Sequence, residues 1–227
     1  MKKLMYALIA FSLFTISCTK DNYIDTGVSN GRFNGNVLEY MASDSYNWDS
    51  TRILIEHAGE DMVRLFKGED PNHKEITFLG ITNHSIRRYI LHQGYKRVTD
   101  LDKEWCRKIL FRHIIDGKIR RKDIPVGKQG EFGTVGTGGK IVKTLDGKDL
   151  WIYVELEDQG MGNIDFLPKH VYINFMSTAN YAIASADIEP DNAIVHAIEY
   201  GYTIGDSEAS STPENPTQMK KNGGNQL

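Results

Sequence analysis

The chain has 227 residues, 40% of them hydrophobic and 25% charged, and its formal net charge at pH 7 is -3. Because it has no basic excess, the long-range attraction that drives nonspecific nucleic-acid binding is missing, and we expect no nucleic-acid partner. Two cysteines exclude a framework of several disulfides.

The N-terminus has the layout of a secretory signal. Two lysines precede an apolar run over residues 4–16, and a serine stands directly before Cys18. The run is short for a membrane span, which favours a cleaved signal peptide over residues 1–17. Residues 13–18 resemble a bacterial lipobox, and this resemblance implies that Cys18 is acylated after cleavage. Two alternatives stay open: cleavage by the general signal peptidase with Cys18 unmodified, or an uncleaved membrane anchor.

Acylation would fix the mature chain to a membrane, because burial of each acyl methylene favours the bilayer. We expect residues 18–34 to form a lipidated polar tether, and the protein to be extracytoplasmic, at the outer membrane and on the cell surface. A Lys followed by an acidic residue after the cysteine resembles a surface-export signal of some Gram-negative lipoproteins. With Cys18 acylated, Cys106 has no disulfide partner, so stability must come from a hydrophobic core.

The first part of the domain is predicted to be helical. Apolar residues recur at helical spacing over residues 37–41 and 53–58, with Gly59 as a left-handed cap. A third helix is expected to end at Gly68, followed by a loop over residues 69–74.

A strand and two further helices follow. Residues 75–79 are rich in β-formers and predict a strand, which leads into a helix over residues 83–90. Helical periodicity resumes at residues 100–114, and Cys106 is expected at the margin of its inward face.

The remainder is predicted to be β-structure. Glycines are frequent over residues 127–139, and Asp146-Gly147 between two apolar runs is a strong hairpin signal. Three further strands are predicted at residues 171–175, 183–188 and 193–202. Residues 205–227 are too poor in apolar side chains to offset the entropy of ordering, and predict a disordered tail.

Helices first and strands later predict an α+β fold, with N-terminal helices packed against a mostly antiparallel β-sheet or sandwich. The domain is expected to span residues 35–204, which is long enough to form one core.

Three blocks of the sequence, in order and at suitable separations, are similar to the fasciclin domain, an extracellular adhesion module of animals, plants and bacteria. The blocks are residues 77–86, 109–115 and 187–199. The chain departs from the family's pattern at Ile81 for Pro, Arg112 for Tyr, Ala193 for Gly and Glu199 for Asp. The resemblance, which includes residues 143–147, implies a fasciclin-like fold.

Six residues of these blocks are candidates for a role. In the family, an Asp-Ile pair before the last block is implicated in integrin binding, so the resemblance implies an adhesion role for Asp187 and Ile188. The alternative is a strand end with a turn-forming Asp. The remaining four are expected to be structural, since lone histidines in apolar patterns are usually hydrogen-bonded and Asn shapes turns: Asn83, His113, Asn192 and His196.

Motifs for chemistry are missing. The glycine-rich residues 133–140 lack the spacing of a phosphate loop, the seven histidines form no metal-ligand motif, and Cys106 has no signature of a nucleophile. We therefore expect no cofactor, no metal and no enzymatic activity.

The sequence favours a noncatalytic lipoprotein that uses a fasciclin-like domain for adhesion or for binding a glycan or a protein. Aromatic residues are candidate contacts, namely Tyr46, Trp48 and Trp151, although Trp151 on a strand is more typical of a core. One alternative is an extracellular glycan hydrolase, marked by two carboxylates in a cleft. The other is a scaffold subunit of an envelope uptake or adhesion complex, whose partner is another envelope protein.

Overall fold

The computed structural model describes residues 31–156 and 169–208. The predicted signal peptide, the lipidation of Cys18, and most of the predicted tether and tail lie outside these residues. Within the two described ranges, no helix is long and apolar enough to cross a membrane.

Five α-helices dominate the first part of the described chain. They are α1 (Val37–Ser43), α2 (Ser45–Ala58), α3 (Glu60–Lys67), α4 (Asn83–Gln93) and α5 (Lys103–Arg112). The Asn36 side chain accepts the backbone N–H groups of Leu38 and Glu39 in the first turn of α1, and the Asp102 side chain accepts that of Trp105 in α5. The third helix ends at Gly68, as predicted, and Gly68 adopts the left-handed conformation there. Gly59 differs, with φ 127° and ψ 168°, because it is at once the last cap of α2 and the first of α3.

The strands form one large sheet and one small hairpin. They are β1 (Ile76–Gly80), β2 (Ile114–Asp116), β3 (Gly127–Lys128), β4 (Thr137–Gly138), β5 (Lys140–Lys143), β6 (Asp149–Leu156), β7 (Lys169–Asn174), β8 (Tyr181–Ile188) and β9 (Ala193–Ile198). The large sheet has the order β2-β1-β9-β8-β7-β6-β5, and β3 pairs with β4. All pairs are antiparallel except β1 with β9. The predicted α+β class with a mostly antiparallel sheet is confirmed.

The large sheet curls until its two edge strands approach each other. Ile115 of β2 forms an antiparallel bridge with Thr144, which directly follows β5, and the Leu145 amide donates to the Ile114 carbonyl at 2.8 Å. Helical side chains such as those of Leu54 and Ile109 pack with strand side chains in one buried cluster. This barrel-like sheet and its helical cover therefore share a single core.

The sheet opens where β7 and β8 diverge. These strands pair only at Tyr172 with Ala182 and at Ile173 with Tyr181, and two register shifts interrupt the pairing of β8 with β9. The segment after β2, residues 117–126, crosses this opening. Its Ile119 amide donates to Thr77 Oγ1 at 2.8 Å, beside β1, and its Val126 forms a parallel bridge with Val154 on β6. The opening and the crossing segment create the cleft described below.

Several local predictions need correction. Cys106 is fully buried rather than marginal, and burial raises the pKa of its thiol to about 12. Ile114 begins β2 instead of ending the helix, because α5 stops at Arg112. The last strand ends at Ile198 rather than at residue 202.

The described fold also extends slightly beyond the predicted domain at both ends. Arg32 forms a parallel bridge with Glu189. Asp206–Glu208 form a 3-10 turn, and the Glu208 carboxylate pairs with Lys108 and Lys148. Residues 206–208, which fall within the predicted tail, therefore belong to the described fold.

Candidate functional site

An open cleft of about 600 Å³ lies where β7 and β8 diverge. Its walls come from the crossing segment after β2, from β6, and from the neighbouring ends of β7 and β8. Four lining residues are basic, two are acidic and three are aliphatic. They are Arg120, Arg121, Lys122, Lys169, Asp187, Glu189, Ile124, Val126 and Val154.

Asp187 stands at the centre of the hydrogen bonding in this cleft. Its backbone has φ 57°, a left-handed conformation that Asp tolerates better than most residues. Its carboxylate Oδ1 accepts the backbone N–H of Arg121 at 2.8 Å, and its own N–H donates to His196 Nδ1 at 3.3 Å. Asp187 thus links the end of β8 to the crossing segment and to β9.

His196 serves this link as a neutral ring. Its Nε2 lies 2.8 Å from the Ile119 carbonyl, which can only accept, while Nδ1 accepts from Asp187. The hydrogen therefore sits on Nε2. Burial lowers the pKa of this fully buried imidazole, which favours the same neutral state.

Glu189 is engaged by Arg120 on the same wall. The guanidinium Nε and Nη2 lie 2.9 and 3.2 Å from the two carboxylate oxygens, a forked pairing. Arg120 therefore lowers the pKa of Glu189. Ile188, between the two acids, is half-buried against the core and does not line the cleft. Of the predicted Asp-Ile pair, the structure brings only Asp187 into the cleft.

The basic side of the cleft was not predicted from the sequence. Arg121, Lys122 and Lys169 are exposed, and none forms an ion pair with another residue of the described ranges. The run of basic residues over 118–122 is visible in the sequence, but only the fold places it against Asp187.

The two predicted asparagines connect helices to distant backbone. Asn83 accepts the Ser50 N–H at 2.6 Å and donates to the carbonyls of Ser45 and Tyr46 at 2.9 and 2.7 Å. Both polar atoms of its amide therefore hold the first turn of α4 to the start of α2.

Asn192 has the corresponding role before β9. Its Oδ1 accepts the Val37 N–H at 3.1 Å, and its Nδ2 donates to the Phe66 carbonyl at 3.0 Å. The Asn192 Cβ also fills the space beside Gly68. A Cβ added at position 68 would lie only 2.8 Å from it. Asn192 thus joins α1 and the end of α3 to the sheet.

His113 lies in the core, away from the cleft. Its Nδ1 is 2.7 Å from the Ile109 carbonyl and its Nε2 is 2.6 Å from the Tyr202 hydroxyl. The carbonyl can only accept, so Nδ1 carries the hydrogen and Nε2 accepts from Tyr202. Burial lowers the pKa of His113 to about 4.

This low pKa predicts that acid weakens the fold. The unfolded chain protonates His113 near its ordinary value of 6.5 and the folded chain only near 4, so the unfolded state binds more protons between these values. The free energy of unfolding should fall by about 3 kcal/mol as pH drops through this window, at about 1.4 kcal/mol for each unit of pKa difference. Urea unfolding at a series of pH values measures it.

His113→Gln should reduce this pH dependence and leave the part that comes from buried His196, whereas His92→Gln, an exposed match, should leave it unchanged. In the unaltered chain, the His113 ring resonance should not titrate above about pH 5 in NMR spectra. Titration of the His113 ring near pH 6.5 in the folded chain would contradict the prediction.

The predicted aromatic contacts divide into one exposed and two buried residues. Tyr46 is 77% exposed. Trp48 and Trp151 are buried, so the expectation that Trp48 is a surface contact is wrong. The Trp151 indole donates to the Gly138 carbonyl at 3.0 Å, because the glycine-rich hairpin β3–β4 covers it.

Exposed aromatic rings continue from Tyr46 along the surface. The His84 ring lies 6.2 Å from that of Tyr46 and 5.0 Å from that of Tyr200, which is 69% exposed. No group of three or more His, Cys, Asp or Glu side chains suited to a metal ion occurs among residues 31–156 and 169–208.

Comparisons with known proteins add one structural likeness. No protein-family model matches the chain, and no curated protein matches it. Among solved structures, the chain is similar to a FAS1 domain pair from the insect cell adhesion molecule fasciclin I, with 14% identity and a TM-score of 0.39. The match covers 74% of this chain and 46% of the solved chain, so this chain spans less than half the length of that domain pair.

Proposed function

We propose that this protein is an extracytoplasmic, lipid-anchored protein with a fasciclin-like domain that binds an extracellular glycan or protein without catalysing a reaction. The observation that carries the proposal is the open cleft around Asp187. Asp187 occupies the position that the sequence resemblance connects with adhesion. Its backbone N–H donates to the ring of His196, which belongs to the same block.

The spatial arrangement of the three fasciclin-like blocks supports the family assignment. In the parallel pairing of β1 with β9, Leu79 of the first block faces His196 of the third. The Leu79 amide also donates to the carbonyl of His113, in the second block, at 2.8 Å. Blocks that lie far apart in the chain therefore meet on adjacent strands, as expected if they form one structural motif.

The chemistry of the cleft favours binding over glycan hydrolysis. A glycosidase needs one carboxyl group whose surroundings keep it protonated as a general acid. Glu189 has the opposite environment, since Arg120 lowers its pKa. Oδ1 of the second acid, Asp187, is already engaged by the backbone N–H of Arg121 at 2.8 Å.

The proposal is tested by binding of the full chain, purified in detergent, to immobilised glycans and extracellular-matrix proteins, with product release followed in the same wells. We expect saturable binding without turnover. Asp187→Gly keeps a residue that accepts φ 57° but releases the crossing segment, so affinity should fall by about tenfold, the effect of about 1.4 kcal/mol.

Asp116→Gly is the matched control, because Asp116 is an exposed acid at the end of β2 that does not line the cleft. It should bind like the unaltered chain. Product release would replace the proposal with an enzyme. Silence on both counts would favour a scaffold whose partner is another envelope protein.

A further inference from the structure

The lining residues that the structure describes include more basic than acidic side chains, four against two. Of the four basic residues that line it, only Arg120 has an ion-pair partner among the described residues, namely Glu189. The Asp187 carboxylate is directed to the Arg121 backbone N–H. Within residues 31–156 and 169–208, the other three cationic side chains of the cleft therefore have no ion-pair partner, in a protein whose net charge is negative.

The backbone that carries two of these cations is fixed before any ligand arrives. Arg121–Asp123 form a 3-10 turn, in which the Arg121 N–H is held by Asp187. The carbonyl of Ile119, two residues before Arg121, accepts from the His196 ring. A preorganised backbone loses less conformational entropy on binding, so less of the favourable electrostatic energy is offset.

We propose that the cleft binds an acidic polysaccharide, a chain of sugars that bear carboxylate or sulfate groups; this inference rests on the binding function proposed above. The Arg121 guanidinium offers a planar set of donors that matches carboxylate and sulfate oxygens. Lys122 and Lys169 supply further positive charges, so that several anions along one polymer are neutralised together.

The composition of the cleft favours a polysaccharide over an acidic protein. The centres of protein interfaces are enriched in aromatic residues and depleted of Lys, Asp and Glu, and their strongest contacts fill desolvated pockets. Of the nine lining residues in the described part of the chain, six are charged and none is aromatic, and the cleft is open. The exposed aromatic rings around Tyr46 and Tyr200 are not among the lining residues.

The test measures binding of the full chain in detergent to polygalacturonate and to heparin, with neutral dextran and poly-glutamate for comparison. Arg121→Glu with Lys122→Glu reverses two cleft charges. Lys67→Glu with Lys96→Glu makes the same change of net charge at two exposed lysines that do not line the cleft. All four substitutions are at exposed side chains, so folding should be retained.

We expect binding to at least one of the two acidic polysaccharides, and no binding to dextran. The cleft variant should lose at least about tenfold in affinity relative to the control variant. Raising NaCl from about 0.05 M to about 0.5 M should also lower the affinity of the unaltered chain, because salt screens exposed charges.

Equal losses in the two double variants would overturn the inference, since net charge alone would then explain them. Tighter binding of poly-glutamate than of either polysaccharide would assign the cleft to an acidic protein. Binding of a neutral glycan or matrix protein that depends on Asp187 but not on Arg121 and Lys122 would overturn this inference and leave the proposed function intact. Absence of any ligand in both sets of assays would overturn both.

Discussion

Arg112→Ala is expected to lower the free energy of unfolding by about 3–5 kcal/mol, because it leaves a buried carboxylate without its cation and several acceptors without donors. The Arg112 side chain is 2% exposed. It donates to Thr144 Oγ1 at 3.1 Å and to the carbonyls of Asp149 and Phe175 at 3.0 and 2.9 Å. The Asp146 carboxylate lies 3.8 Å away and is itself 9% exposed.

The position of Arg112 explains why the loss should be global. It is the last residue of α5, two residues before β2 begins. Its hydrogen-bond partners lie in the turn after β5, at the start of β6 and directly after β7. Its guanidinium therefore fastens one edge of the curled sheet to the other. Burial lowers the pKa of Arg112, and the nearby carboxylate of Asp146 opposes this effect.

Urea unfolding followed by circular dichroism measures the effect. Arg97→Ala is the control, because the Arg97 side chain is 77% exposed and its ion pair is with Asp100, three residues away. Its effect on the free energy of unfolding should stay within about 0.5 kcal/mol. A loss below about 1 kcal/mol for Arg112→Ala would show that the buried network contributes little beyond its own desolvation cost.

Trp48→Ala should also cost about 3–5 kcal/mol, because truncation of a large buried aromatic side chain leaves a cavity that the surroundings fill only in part. Trp48 is 2% exposed, and its ring lies 5.9 Å from that of Tyr40. The indole packs directly on the backbone of β1, where a Cβ on Gly80 would lie 2.5 Å from the ring. Only glycine leaves this space to Trp48.

The matched control is Tyr46→Ala, two residues earlier on α2, where the side chain is 77% exposed. Its effect on the free energy of unfolding should be within about 0.5 kcal/mol. Urea titrations of both variants separate a core role from a surface role. If Trp48→Ala unfolds at the same urea concentration as the unaltered chain, the indole does not support the core as described.

Local sequence signals predicted those features that depend on neighbouring residues. The helix ending at Gly68 follows from periodicity and from the left-handed conformation that glycine accepts. Asp146-Gly147 predicted the hairpin of β5 and β6, although five residues rather than two connect the strands, since Lys143 pairs with Asp149. The α+β class follows from the order of such elements, because each element's own pattern identifies it.

Burial of individual side chains was less predictable. Trp48 and Cys106 belong to helices whose periodicity gives the direction of one face but not its width, and both proved to be buried. Arg112 was noted only as a departure from the family's Tyr. The residues next to Arg112 in the sequence give no indication of its hydrogen-bond acceptors, which lie more than thirty residues away. These acceptors make a buried guanidinium tolerable.

The sequence by itself therefore determined the element types, the order of helices and strands, the hairpin, and the N-terminal and adhesion hypotheses based on resemblance. Only the tertiary structure decided that β1 pairs in parallel with β9, that β7 and β8 diverge, and that the basic segment Arg121–Asp123 lies against Asp187. The physical reason is that periodicity records which face of an element is apolar. It does not record which distant element covers that face, and the cleft exists only through such long-range pairings.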